Sequence, residues 1–120
     1  MARYVDGFVI PVKKDRLEDY KKMARLACKV WMELGAIDYV ECVADDVEVG
    51  KRTSFPRSVK LKEDEVVVFA YIGYKNRATR DRVMKKIMED PRLAQYADAK
   101  NLPFDAKRMF FGGFKSIVEA

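Results

Sequence analysis

No histidine occurs among the 120 residues, which excludes Ser-His-Asp and Cys-His triads, histidine-ligated zinc and haem held by a proximal histidine. Proton transfer, if any, falls to carboxylates, Lys, Tyr, Cys or water. Cysteine is scarce as well. Cys28 and Cys42 lie far apart without metal-ligand spacing, and each sits in an apolar stretch, so both read as small core residues. Long apolar runs are missing: the longest, Val66 to Tyr74, has nine residues, against roughly twenty for a membrane-spanning helix. The start, Met1-Ala2-Arg3-Tyr4-Val5-Asp6, lacks an apolar h-region and carries an early acid. A cytoplasmic protein without a secretion signal or membrane segment is therefore expected. No repeat, low-complexity tract or linker interrupts the chain, so residues 1–120 are expected to form a single domain.

What is present is a core-forming composition and an uneven charge. Hydrophobic residues make up 49% of the chain, well above the level of a disordered segment. The net charge of +5 is split into blocks. Asp38 to Glu48 holds acids only, Lys51 to Lys62 bases only, and Lys75 to Lys86 six bases against Asp81. Acidic and basic patches on one chain suit self-association as well as nucleic acid.

The local patterns alternate between two periods. Tyr4 to Ile10 is rich in β-formers and meets Pro11, which marks a first strand. Asp15 with Glu18 is capping-box-like, and Leu17, Tyr20, Ala24, Ala27, Trp31 and Leu34 form one apolar helical face closed by Gly35. Ala36 to Val43 reads as strand two, and Ser54-Phe55-Pro56 as the start of a helical turn. Glu65 to Gly73, almost continuously apolar, reads as a central strand. Asn76 caps a helix over Arg77 to Glu89 with Ala78, Val83 and Ile87 inward. Asp90-Pro91 opens a short further helix. Arg108 to Ile117 is the last strand, where Gly112-Gly113 implies a bulge or a close backbone approach.

The order βαββαβ predicts an α+β, ferredoxin-like antiparallel sheet with both helices on one face. The strands carry apolar residues on both parities, so the second face needs a cover. The same face of another subunit is the economical one, which predicts a homodimer.

Several segments stand out together: Tyr4-Val5-Asp6-Gly7-Phe8, Val40-Glu41-Cys42 with Asp45-Asp46-Val47, Lys62 to Phe69, Ala78-Thr79-Arg80-Asp81 and Met88-Glu89-Asp90-Pro91. Pro103-Phe104-Asp105, Lys107-Arg108-Met109 and Gly112-Gly113-Phe114 complete the set. In this order and spacing they resemble the YbaA-like family of small bacterial proteins. The resemblance runs the length of the chain and implies a dimeric α+β barrel. It implies no activity, because the family is one of unknown function. The wider barrel superfamily spans cofactor-free monooxygenases, haem-degrading enzymes, lactone isomerases and ligand sensors, so it supplies a shape and not a reaction.

Strand alternation supplies the candidate site. Val5, Gly7 and Val9 are expected toward the helices, leaving Tyr4, Asp6, Phe8 and Ile10 to line the barrel interior. Tyr39 and Glu41 in strand two, with Tyr71 and Arg108, are expected to share that space. A buried carboxylate needs a base beside it, so Asp6, Glu41 and Arg108 should cluster, either as a substrate-orienting or acid–base site or as a structural ion pair. No cofactor or metal is expected, since Asp45, Asp46 and Glu48 lack further spaced oxygen ligands. Trp31 and Tyr20 read as core. Arg77, Arg80, Arg82, Lys85 and Lys86 read as a solvated helix face, which makes nucleic acid an unlikely partner. The expected function is binding of a small hydrophobic or aromatic molecule in the barrel cavity. The alternatives are a cofactor-independent monooxygenase or isomerase, or a regulatory or RNA-contacting module.

Overall fold

The computed structural model describes residues 3–120, so Met1 and Ala2 of the leading stretch lie outside the described residues. The elements run β1 (Tyr4–Lys13), α1 (Leu17–Leu34), β2 (Asp38–Val43), a one-turn α2 (Phe55–Ser58), β3 (Glu65–Tyr74), α3 (Arg77–Glu89) and β4 (Phe110–Lys115). Short 3-10 segments cover Lys14–Arg16, Pro91–Ala97 and Ala99–Asn101. All strand pairs are antiparallel in the order β2-β3-β1-β4. This is the ferredoxin-like arrangement, with β3 and β1 central.

Local chemistry explains most boundaries. Ser54 and Asn76 cap α2 and α3, their side chains accepting from the Arg57 and Thr79 N–H groups. Asp90 accepts from Arg92 N–H and opens the 3-10 segment that begins at Pro91. Gly35, at φ 132°, ends α1, and a Cβ there would sit 3.2 Å from Val83 Cγ2, so the glycine also permits the α1–α3 approach. Asp15, in contrast, caps nothing. It lies in the 3-10 turn before α1, whose first turn follows Arg16 without a side-chain cap. β1 does not stop at Pro11: β4 pairing ends at Val9↔Phe110, so β1 is unpaired by β4 at Pro11 and tolerates it. Gly112 and Gly113 pair in regular register with Gly7 and Asp6. Close approach, not a bulge, explains Gly113, since a Cβ there would lie 2.5 Å from Tyr4 Oη.

The strand parity is the reverse of that expected. Tyr4, Asp6, Phe8, Ile10 and Val12 of β1 face α1 and α3, as do Val68, Ala70, Ile72 and Tyr74 of β3 and Tyr39 and Glu41 of β2. The larger side chains of the even set fill the depth between sheet and helices. Val12, Val30, Tyr74 and Val83 are fully enclosed there, each such side chain contributing about 1.5–3 kcal/mol. Gly7 instead belongs to the opposite face, beneath the Phe114 ring.

That opposite face is only partly covered. Val59 and Leu61, following α2, pack on Val9 and Val67 at one end. The rest presents Phe69, Phe110 and Phe114, which are 42%, 47% and 65% exposed, with Tyr71 and Cys42 on the same parity. Cys42 is therefore an exposed sheet-face residue and not a core one.

Candidate functional site

Between the helix-facing side of the sheet and the helices lies a cavity of about 420 Å³. Its floor is Phe8 and Ile10 of β1, Tyr39 and Glu41 of β2, Ala70 and Ile72 of β3 and Phe111 of β4. Its walls are Tyr20, Met23, Ala27 and Trp31 of α1 and Met84, Ile87 and Met88 of α3. Exposed Ala94 and Ala97 stand at the rim, on the 3-10 segment. The volume falls within the range of small-molecule sites, and half of the lining residues are aromatic or Met.

Glu41 is the polar centre of this cavity. The Tyr39 hydroxyl donates to its Oε2 at 2.7 Å, and the Tyr20 hydroxyl donates to its Oε1. Burial, reinforced by the Glu41 charge, pushes both phenols far above the ordinary tyrosine range. They remain protonated donors and cannot serve as bases. The arrangement offers a bound molecule the Glu41 carboxylate in a mainly apolar space whose other acid, Asp90, is paired with Arg92.

The five expected site residues separate into different places. Tyr39 and Glu41 line the cavity, but this cavity lies on the helix side of the sheet and not inside a sheet-to-sheet barrel. Asp6 is only 2% exposed and is bound by Arg80 of α3, whose Nη1 donates at 2.7 Å. Burial raises its pKa, opposed by the Arg80 charge and hydrogen bonding. Arg80 also lies over the Tyr4 ring at 4.8 Å, so it is a half-buried pin on Asp6 and not part of a solvated basic face. Tyr71 points to the open sheet face, beside Phe69 at 6.5 Å between centroids. Arg108 precedes β4 and is not in it. It donates to Asp105 at 2.8 Å and to both oxygens of Glu65 at 2.8 and 2.5 Å. Asp6, Glu41 and Arg108 thus do not form one cluster, because Arg80 and Glu65 satisfy the first and last.

Sequence reasoning missed the partners Arg80 and Glu65; its core reading of Tyr20 holds, since Tyr20 is buried in the core and lines the cavity as well. Trp31 both lines the cavity and donates from Nε1 to Tyr74 Oη at 3.0 Å. Among the described residues, no three Cys, Asp or Glu side chains are grouped to hold a metal ion. No helix among them is long and apolar enough to cross a membrane.

Comparison with known proteins places the chain. The uncharacterized protein YbaA of Escherichia coli strain K12 is 44% identical over 117 residues, covering 98% of each chain. YbaA of Shigella flexneri matches to the same extent. Among solved structures, a dimeric ferredoxin-like protein from an uncultured marine organism aligns over 100% of both chains at a TM-score of 0.61 and 12% identity, which supports the fold. Residues 3–106 match the family described as a protein of unknown function, DUF1428, and the chain belongs to that family.

Proposed function

We propose that this protein is a homodimer that binds a small, mainly apolar molecule in the cavity between sheet and helices of each subunit. Glu41 anchors the molecule's polar end. The carrying observation is the cavity itself: about 420 Å³, with aromatic, aliphatic and Met side chains around the Glu41 carboxylate. Dimerisation uses the other sheet face, where Phe69, Phe110 and Phe114 are exposed. The ferredoxin-like structure of the same fold is described as dimeric, which supports a second copy as the cover. Nucleic acid has no place in this reading: Arg77, Arg82, Lys85 and Lys86 are exposed on α3 without interleaved aromatic residues.

The test is titration with the neutral apolar dye N-phenyl-1-naphthylamine. Saturable enhancement at one dye per chain is expected, reduced at least tenfold in affinity by Ala97→Trp at the rim or Ala70→Phe in the floor. Unchanged binding in both variants, with the fold retained, contradicts the reading. A second reading, cofactor-independent isomerisation, is favoured by one observation. The phenols of Tyr20 and Tyr39 stay protonated, so Glu41 alone of these three groups can accept a proton from a bound carbon acid.

A further inference from the structure

From the proposed cavity, and resting on that reading, we infer the charge of its occupant. The ligand carries a cationic, hydrogen-bond-donating head of the arylalkylamine class, seated against Glu41 with its apolar body among the aromatic and Met walls.

The inference comes from how this chain treats its two enclosed carboxylates. Asp6 and Glu65, 2% and 5% exposed, each hold an arginine at salt-bridge distance, Arg80 at 2.7 Å and Arg108 at 2.5 Å. Glu41 differs. Its partners are two neutral phenols, which occupy one site on each oxygen of the roughly four a carboxylate offers. No Lys or Arg is among the wall residues, although the chain has 24 of them. Asp90, the other acid in the wall, is already neutralised. Arg92 donates to it from Nε at 3.1 Å and from Nη2 at 2.9 Å. Glu41, half-buried, is therefore the uncompensated charge of the cavity, and a ligand that covers it without supplying a cation leaves a carboxylate desolvated at a cost.

The walls suit the complementary charge. Trp31 and Tyr39 stand 6.2 Å apart between ring centroids, and Tyr20 and Phe104 6.0 Å apart. All four rings line the cavity, and aromatic rings attract an ammonium group. An anionic head, by contrast, would meet Glu41 with no cation to offset the repulsion.

Three probes on one skeleton decide the matter by calorimetry at pH 7: 2-(1-naphthyl)ethylamine, 2-(1-naphthyl)ethanol and 1-naphthylacetate. The amine is expected to bind at least about tenfold tighter than the alcohol, the scale of an ordinary charge-assisted hydrogen bond, and the carboxylate weakest. Glu41→Gln should erase the amine's advantage over the alcohol. If Glu41→Gln fails to fold, the wild-type ranking alone decides. An alcohol or carboxylate that equals the amine overturns the charge inference and leaves the cavity reading standing. Failure of all three probes to bind overturns both.

Discussion

Replacing Arg80 by Met keeps the length of the stem and removes the charge that faces Asp6. The Asp6 carboxylate is 2% exposed and loses the guanidinium that donates at 2.7 Å. Breaking a buried pair from one side costs about 3–5 kcal/mol, and loss of the cation over Tyr4, at 4.8 Å, adds up to about 1 kcal/mol. Unfolding entropy near 2.1 cal/mol/K per residue makes each kcal/mol worth about 4 °C in a chain this long. Arg80→Met should therefore melt at least about 12 °C lower at pH 7, at fixed protein concentration. The sign of the pH dependence follows from Asp6. Its folded pKa lies above the unfolded value, so its contribution is fully present below the unfolded pKa and is lost as pH rises through the folded one. Without Arg80 the main lowering influences vanish and the folded value rises further. The deficit should shrink as pH falls into the acid range and Asp6 takes up a proton. Asp6→Asn added to Arg80→Met should recover much of the loss at pH 7. A deficit under about 1 kcal/mol in urea unfolding, or one independent of pH, refutes this account of the pin.

Glu65 titrates in the opposite sense. Hydrogen bonding from Arg108 holds its pKa below the ordinary value, so its stabilisation is present above the unfolded pKa and fades as pH falls through the folded one. Arg108→Met should cost about 3 kcal/mol at pH 7, with the difference from wild type narrowing in acid; an unchanged acid-unfolding curve counts against the pair. Light scattering at micromolar concentration should return twice the chain mass of 13.9 kDa, falling toward the single chain in Phe114→Glu. A wild-type mass of one chain removes the dimer.

Residue patterns made the elements legible because each was written locally. Asn76 and Asp90 announced their caps within three residues, and Gly35 ended α1 where the apolar period stopped. The facing of the sheet was not legible, since β1 and β3 carry apolar side chains on both parities. Only the sizes of Tyr4, Phe8 and Ile10 against Gly7 hinted which set fills the deeper layer. Tyr39 and Glu41 were found by alternation within one strand, yet their role depends on Tyr20, 21 positions from Glu41. Arg80 reaches Asp6 across 74 positions, which no local pattern records. Arg108 was misread as strand, although Asp105 three residues before it signals the turn that holds it.

The cavity has four methionines in its wall, Met23, Met84, Met88 and Met109, while Met32 of α1 is exposed outside it. Their ¹³C-labelled methyl signals report directly on whether a molecule enters. Titration with N-phenyl-1-naphthylamine should shift those four signals saturably and together, with Met32 unmoved. Shifts confined to Met32, or no saturable shift at any of the four, would contradict a ligand site between the sheet and the helices.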